Sequence, residues 1–248
     1  QSKVLHNLAP NPGAEVDTSN WIATQGTIAR TTSNQKSGAG GFQITSSGAG
    51  GSCGIHHSGV MTPVTAGKMY WGAAQFRSDL ADGRYPVIFL DFYDSGNNRI
   101  SAPGASGTAL TTGGWTRVTM VAQAPIGAVK ANIICQVQLP AAVAGKTTYI
   151  DEIIWDEGDT VRDFESGSTS GWIWDGTPQA STSKAYLYTW TANVRSGDMT
   201  NNIWVDGVQR WIGSSFPLTP AQVAEFSQYR ILEKGAYPTA PGSNTIFA

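Results

Sequence analysis

Aromatic and amide side chains alternate with apolar residues along three segments of the chain, Met69–Arg77, Val87–Asp94 and Ala131–Gln138. Because successive residues of a β-strand point to opposite faces, the apolar residues predict one buried face and leave the others on the second face. Aromatic rings on such a face can stack on the C–H side of a sugar ring, while amides and charged groups pair with its hydroxyls. The candidate sugar-binding residues are Trp71, Gln75, Arg77, Phe89, Asp91, Tyr93, Asn132, Gln136 and Gln138.

We expect all of these residues to share one face of one sheet, with Trp71 at its centre. The reasoning depends on Tyr70 and Phe76 occupying the core, because this forces Trp71 onto the opposite face. The alternative is that Trp71 and Phe89 are covered by a loop or by the C-terminal part of the chain.

The elements that must position these side chains are predicted to be short β-strands bounded by Gly, Pro, Asn or Asp. No segment before residue 215 shows helical periodicity. Many strands without helices between them are typical of a β-sandwich or jelly roll, so we expect an all-β domain. The clearest predicted strands are Met69–Arg77, Val87–Asp94, Thr116–Ala122, Ala131–Gln138 and Thr148–Trp155.

Composition excludes several classes of partner. Only 14% of residues are charged and the formal net charge is −2, which gives no electrostatic footprint for nucleic acid or for an anionic membrane surface. No apolar run approaches the 18 or so residues of a membrane span. A content of 40% hydrophobic residues with nine Trp is that of a folded protein.

The two cysteines, Cys53 and Cys135, do not make a disulfide framework. Cys135 lies in an apolar run and is expected to behave as a small buried hydrophobe. Whether the two cysteines are bonded to each other stays open, and their spacing does not match a metal site.

Catalytic motifs fail on inspection. Gly50–Gly54 fits the G-x-S-x-G pattern, but no helix follows it, and a nucleophilic serine of that type needs a strand–turn–helix. Gly145–Thr147 ends like a phosphate-binding loop, but Pro140 stands where the first glycine of that loop belongs. The adjacent His56–His57 pair points to opposite faces of an extended segment. Asp91 is the only acid expected on the candidate face, whereas a glycosidase needs two carboxylates. We therefore expect no enzymatic activity.

Four motifs in a fixed order suggest a family. Asn7–Glu15 opens the series, Gly67–Trp71 and Trp115–Val118 follow, and Thr148–Gly158 closes it. This order resembles the carbohydrate-binding modules of families four and nine, which share the galactose-binding-like jelly roll, and the resemblance covers about residues 5–158. It implies that the first and last strands are neighbours and that a glycan binds on a concave sheet.

The same resemblance implies a structural Ca²⁺ between the first and last strands. Carried over by motif, its side-chain ligands would be Glu15 and Asp151, with Asp17 and Glu152 as nearby alternatives. Carboxylate oxygens are the hard ligands that Ca²⁺ prefers. The alternative is that Glu15 caps a turn and Asp151 accepts hydrogen bonds from backbone amides.

Residues 159–184 are polar and rich in Gly, Ser and Thr, and we interpret them as a connector between a domain at 1–158 and a unit at 185–248. Trp172 and Trp174 are expected to pin this connector. The stretch Trp174–Ser183 closely resembles a segment that follows the jelly roll in minor tail proteins of phages that infect actinobacteria. The stretch before it departs from that pattern, since Phe164-Glu-Ser replaces the usual Phe-Asp-Gly.

Residues 185–248 are predicted to form a small α+β unit. Tyr186–Val194 alternates as a strand, and Ile203–Ile212 is a hairpin that turns on Asp206-Gly207. A helix is predicted from an N-cap at Thr219 to Gly235. Such a short segment buries little core alone, so we expect it to serve packing or oligomerisation.

Together these features predict a jelly-roll β-sandwich followed by a small α+β unit, acting as a phage minor tail or receptor-binding protein in the virion. The expected partners are a host cell-surface or cell-wall glycan and other tail proteins. Single shallow sites bind weakly, so we expect a homo-oligomer, for which a trimer around a fibre axis is one arrangement. The alternatives are a secreted accessory module of a polysaccharide-degrading enzyme and a purely structural tail protein.

Overall fold

The computed structural model describes residues 2–58, 61–139, 141–169, 172–188, 201–205, 208–213 and 244–247. Among these residues the regular elements are all β-strands, as the sequence predicts for the sandwich. In chain order they are β1 (Ser2–Asn7), β2 (Trp21–Thr24), β3 (Gly26–Thr31), β4 (Gly41–Ser47), β5 (Ser52–His57), β6 (Thr62–Pro63), β7 (Met69–Ser78), β8 (Tyr85–Tyr93), β9 (Arg99–Ser101), β10 (Gly104–Ser106), β11 (Trp115–Gln123), β12 (Lys130–Gln138), β13 (Ala144–Glu157), β14 (Trp172–Trp174), β15 (Ser183–Tyr188), β16 (Asn201–Val205), β17 (Val208–Gly213) and β18 (Asn244–Phe247).

Two antiparallel sheets form the sandwich. We call the first the front sheet; its order is β10-β8-β12-β5-β2, with β9 added beside β8 and β6 beside β12. We call the second the back sheet; its order is β11-β7-β13-β4-β3. The strands β7 and β8 follow each other in sequence but belong to different sheets, which decides how the site residues are distributed.

The core lies between the two sheets because their strands alternate apolar and polar residues. On the back sheet, Tyr70 and Phe76 are 2% and 0% exposed, and on the front sheet Ile88, Leu90 and Phe92 are fully buried. Tyr70 and Phe92 meet edge-to-face across the core, with ring centroids 6.2 Å apart. The prediction that Tyr70 and Phe76 face the core is confirmed.

The opening and closing stretches lie side by side. The Leu8 amide donates a hydrogen bond to the Trp155 carbonyl at 2.9 Å, and the Ile153 amide donates to the Pro12 carbonyl at 3.0 Å. The buried Asn7 side chain donates to the carbonyl of Ile153 at 3.0 Å. These bonds satisfy backbone groups that burial would otherwise leave unpaired, and they tie the start of the chain to β13.

Residues 2–187 form one compact unit, and this unit includes the segment predicted as a connector. Strands β14 and β15 join β1 in a small sheet of order β1-β15-β14. Trp172 is 7% exposed. The ring of Trp174 covers Gly167, where a Cβ atom would come within 2.3 Å of it. Both tryptophans therefore hold the segment in place.

The C-terminal strands are described separately. Strands β16 and β17 pair antiparallel on either side of Asp206-Gly207, and β18 joins β16 in parallel. The predicted helix from Thr219 to Gly235 and the predicted strand beyond Tyr188 lie outside the described residues.

Cys53 and Cys135 are both buried in the core with free thiols, on the neighbouring strands β5 and β12. Burial raises the pKa of both thiols, which makes them unreactive at neutral pH. Within the part of the chain that the structure describes, there is no helix of the length and apolar character needed to cross a membrane.

Candidate functional site

The outer face of the front sheet, which we call the front face, carries a mixed aromatic and polar surface. Strand alternation turns one set of residues into the core and the other set away from it. Cross-strand pairing aligns Ile22, His56, Ile134, Phe89 and Gly104 in one row over five strands. The rows on either side add Thr24, Ser52, Gly54, Tyr85, Val87, Asp91, Tyr93, Lys130, Asn132, Gln136 and Gln138.

Two glycines shape this face. Phe89 is half-buried, and its ring lies over Gly104, where a Cβ would come within 2.5 Å of the ring carbon Cδ1. A Cβ at Gly54 would lie 2.4 Å from the Cβ of Gln136, so only glycine leaves room there. The two glycines let the Phe89 ring and the Gln136 side chain lie close to the sheet, which leaves an aromatic surface and an amide on one face, the two kinds of group that a sugar ring uses.

A polar cluster occupies one end of the front face. The Asp91 carboxylate, 3% exposed, accepts hydrogen bonds through Oδ2 from Arg99 at 3.1 Å and from the Tyr93 hydroxyl at 3.3 Å. Burial, followed by the charge of Asp91, raises the pKa of Tyr93 and keeps its phenol protonated. The buried Oδ1 atom of Asp91 has no hydrogen-bond partner among the described residues. The cluster offers Arg99, 58% exposed, as a donor at the surface.

His56 lies on the same face, on β5, one strand in from the edge strand β2. Its Nδ1 atom lies 2.9 Å from the Thr24 hydroxyl. Burial lowers the pKa of His56, so the imidazole is neutral near pH 7 and can both donate and accept hydrogen bonds. Sequence reasoning set the His56–His57 pair aside. The buried Cys53 and Ile55 of the same strand were the signal that could have placed His56 on the outer face.

The prediction of one shared face is wrong, because the candidate residues divide between two sheets. Phe89, Asp91, Tyr93, Asn132, Gln136 and Gln138 belong to β8 and β12 of the front sheet, whereas Trp71, Gln75 and Arg77 belong to β7 of the back sheet. Alternation turns the two groups to opposite sides of the sandwich.

Trp71 is not available to a ligand. It faces away from the main core, as alternation requires, but it is only 1% exposed. Trp71 forms a second apolar cluster with Ala73 and Ile154, and Val161 and Phe164 pack against this cluster. The Arg162 guanidinium lies 5.1 Å from the Trp71 ring centroid. The expectation that Trp71 is the exposed centre of the site is therefore corrected, and covering by a following segment is the alternative that holds.

The same Arg162 explains why this segment lies flat on the back sheet. Its guanidinium also stacks on Trp172, 5.6 Å from the ring centroid, and its Nη2 lies 2.7 Å from Oδ2 of the buried Asp156. A cation held between two aromatic faces and a buried carboxylate has few alternative positions. We call residues 159–169 the strap.

Gln75 and Arg77, both half-buried, lie on the same strand as Trp71 and are not part of its apolar cluster. Arg77 stacks on Tyr149 at 5.7 Å and pairs with Asp79 at 3.2 Å. Gln75 lines a small cavity beside Phe164. These two residues therefore belong to the outer face of the back sheet, on the opposite side from the front face.

The predicted calcium ligands Glu15 and Asp151 converge. A Cβ built on Gly13 would lie 3.0 Å from Oδ1 of Asp151 and 3.1 Å from Oε1 of Glu15, so both carboxylates point to one spot. Asp151 is fully buried and accepts hydrogen bonds from the amides of Lys36, at 2.7 Å, and Glu152, also at 2.7 Å. Burial nevertheless raises the pKa of Asp151 to about 7. Among the described residues neither carboxylate forms an ion pair. A bound cation would offset the free-energy cost of burying the Asp151 charge.

The described residues contain no cluster of three or more His, Cys, Asp or Glu side chains suited to a metal ion. A calcium ion at Glu15 and Asp151 would therefore need backbone carbonyls for the rest of its oxygen shell, as the family resemblance implies. The hydrogen bonds that backbone amides donate to Asp151 also match the alternative, in which this carboxylate pairs with backbone groups. The two carboxylates converge at Gly13, and calcium binding by this pair stays a prediction.

Comparison with known proteins bears on the fold. No protein-family model and no curated protein matches the sequence. The CBM22-1 and GH10 modules of endo-1,4-β-D-xylanase 10B from Clostridium thermocellum, complexed with xylohexaose, match with a TM-score of 0.50 and 12% identity over 62% of this chain and 29% of that one. A family 16 carbohydrate-binding module gives 0.45 and 19% over 61% of this chain and 100% of that one.

A phage protein is also similar. The enzymatically active domain of tailspike protein 4 of bacteriophage CBA120 matches with a TM-score of 0.47 and 16% identity over 61% of this chain and 21% of that one. The chain thus spans a minor part of the tailspike and of the xylanase. The similar structures include carbohydrate-binding modules. At 12% identity, the match to the xylanase modules is a likeness of fold alone.

Proposed function

We propose that the chain is a non-catalytic carbohydrate-binding protein whose sugar ligand lies on the front face. The observation that carries the proposal is the row His56–Ile134–Phe89–Gly104, in which the Phe89 ring lies over a glycine, with a neutral imidazole two strands away and the amide of Gln136 in the next row of the same face. An apolar ring with neutral donors and acceptors around it matches the two kinds of surface that a pyranose presents.

The front face supports binding rather than hydrolysis. Asp91 is the only acid among the outward residues of the described front-sheet strands, and Arg99 neutralises it. A glycosidase uses two carboxylates on either side of the scissile bond. A single paired carboxylate can instead hold Arg99 in position to donate to a sugar hydroxyl.

The sequence resemblance of Trp174–Ser183 supports a narrower proposal, a minor tail or receptor-binding role in a phage with a host-envelope glycan as ligand. Weak single sites would then act together through several copies of the chain, alongside other tail proteins. A structural Ca²⁺ held by Glu15 and Asp151 would fasten the first strands to the last. Binding to plant polysaccharide in place of host cell wall would favour the accessory module of a secreted enzyme.

The test is a glycan array that includes actinobacterial cell-wall fragments and plant polysaccharides, applied to the full chain and to Phe89→Ala and Gln136→Ala. Loss of one stacking contact is worth about 1–1.5 kcal/mol, so Phe89→Ala should weaken binding about tenfold. Thr119→Ala is the control, because Thr119 is exposed on the back sheet. Circular-dichroism melts verify that each variant is folded. Unchanged affinity in both front-face variants would refute the assignment of this face, and no binding at all would favour a purely structural protein.

A further inference from the structure

Two cavities open on the back of the sandwich, on either side of Phe164. One, of about 260 Å³, is lined by Gln75, Arg117, Glu152, Asp163 and Phe164. The other, of about 380 Å³, shares Glu152 and Phe164 with the first and adds, among others, Ser37, Ser166, Ser168 and Gln179, together with Gly13 and Glu15 of the candidate calcium site. Glu152 and Phe164 line both cavities, so the two are adjacent, and we call the pair the groove.

A β-bulge aims Glu152 into this groove. The register of β13 against β7 shifts between Asp151 and Ile154, and Glu152 between them has a φ of 51°. Non-glycine residues in this conformation are uncommon, and bulges redirect a side chain out of the regular alternation. As a result, Asp151 is fully buried while Glu152, the next residue, is half-exposed in both cavities.

The strap supplies the opposite wall and an aromatic surface. Phe164 is half-buried, with one side packed on the Trp71 cluster and the rest on the groove. Arg117 is held in place by Asp163, at 3.1 Å, and by the carbonyl of Arg162. The strap therefore has fixed anchors on the sheet, and the groove exists before any ligand arrives.

The lining chemistry points to a hydroxyl-rich ligand. The Ser37 and Ser166 hydroxyls, the Gln75 amide and the Glu152 carboxylate lie next to a single phenyl face, and Gln179 donates a hydrogen bond to the Ser168 hydroxyl at 2.9 Å on the same wall. The one cationic side chain of the groove is already paired, and the acids outnumber it, so an anionic ligand is disfavoured. A neutral sugar is the ligand class that uses both the hydrogen-bonding groups and the aromatic face.

We propose that this groove is a second sugar-binding site, which takes a neutral saccharide against Phe164 and Gln75 with Glu152 as hydrogen-bond acceptor. It lies on the opposite side of the sandwich from the front face and does not depend on it. A chain with two such sites holds two glycan strands at once, which would let one copy cross-bridge a polysaccharide.

The experiment uses the full chain with calcium present throughout. An array of neutral oligosaccharides, xylohexaose and β-1,4-galactotriose among them, selects the strongest binder, and isothermal titration then measures its affinity and stoichiometry. The groove variants are Gln75→Ala and Glu152→Gln. Gln43→Ala is the matched control, since Gln43 lies on the same face of the back sheet two strands away. The front-face variant is Phe89→Ala with Gln136→Ala.

The expected result is two sites in the wild-type chain and one site in the front-face variant. Adding Gln75→Ala or Glu152→Gln to the front-face variant should weaken the remaining binding at least fivefold, while Gln43→Ala should not. Complete loss of binding in the front-face variant alone overturns the second site and leaves the front face standing. Unchanged stoichiometry and affinity in the front-face variant, together with loss of all binding when a groove variant is made in the wild-type chain, overturns the front face instead. No binding by the wild-type chain overturns both.

Discussion

Substitution of Trp71 by alanine separates the two positions that this side chain could have occupied. On an open face its loss would reduce sugar binding and leave stability unchanged. In the structure the indole is 1% exposed, packs against Ala73 and Ile154, and carries the Arg162 guanidinium 5.1 Å above it. Truncation of a buried tryptophan to alanine costs about 3–5 kcal/mol, from lost transfer free energy and the cavity left behind.

That loss should be large enough to measure in two ways. For a unit of 150–250 residues each 1 kcal/mol lowers the melting temperature by about 2–4 °C, so we expect a fall of roughly 6–20 °C. Urea unfolding followed by circular dichroism gives the free energy directly. Release of the strap should also expose Arg162, so limited trypsin digestion of folded Trp71→Ala should cut there faster than in the wild-type chain.

Trp115→Ala is the control for this experiment. Trp115 lies on the same outer face of the back sheet but is only half-buried and is not part of the Trp71 cluster. The Trp115→Ala variant should lose clearly less stability than Trp71→Ala, and trypsin should cut its strap at the wild-type rate. A loss below about 1 kcal/mol for Trp71→Ala, with unchanged trypsin cleavage, would contradict the covered position of this residue, since exposed substitutions usually stay within that range.

Three further predictions concern stability and assembly. Arg84 is fully buried and pairs with Asp82 at 2.6 Å, so Asp82→Asn leaves an uncompensated buried charge and should cost about 3 kcal/mol in urea unfolding. The hydrogen bonds from Arg84 lower the pKa of Asp82 to about 2. Because this folded-state pKa lies below the usual value, the ion pair should contribute about 2 kcal/mol to the free energy of unfolding above pH 4, and this contribution should be lost as the pH falls towards 2. If the stability of Asp82→Asn and that of the wild-type chain fall in parallel over a pH series, this prediction is contradicted. Melting should occur at a higher temperature in calcium than in EDTA, and Asp151→Asn should abolish the difference; identical wild-type curves would rule out the calcium site. A chain ending after Tyr188, which keeps β15, should stay folded and become monomeric, and light scattering that shows the oligomeric state of the full chain would refute an assembly role for residues 189–248.

The convergence of Glu15 and Asp151 shows how far a family pattern reaches. The two residues are far apart in sequence, and only the resemblance of the opening and closing motifs suggested that they meet. The structure brings both carboxylates to Gly13. What the pattern did not contain is the bulge at Glu152, because a bulge depends on the pairing of β13 with β7 and leaves no clear trace in a single sequence.

The sequence by itself determined the main strands, the all-β class and, outside the bulge of β13, the side of the sheet to which each side chain of those strands points, because all three follow from a period of two. Alternation correctly predicted Tyr70 and Phe76 in the core. It also predicted Phe89, Gln136 and Gln138 on an outer face. Only the tertiary structure decided which strands share a sheet and what covers each outer face. Strands β7 and β8 are neighbours in sequence but lie in opposite sheets, so Trp71 and Phe89 face opposite ways. Trp71 is then buried by Arg162 and Phe164, about 90 residues further along the chain. Alternation is a local property of the backbone, whereas sheet assignment and coverage depend on long-range packing of apolar surface, which no local pattern records.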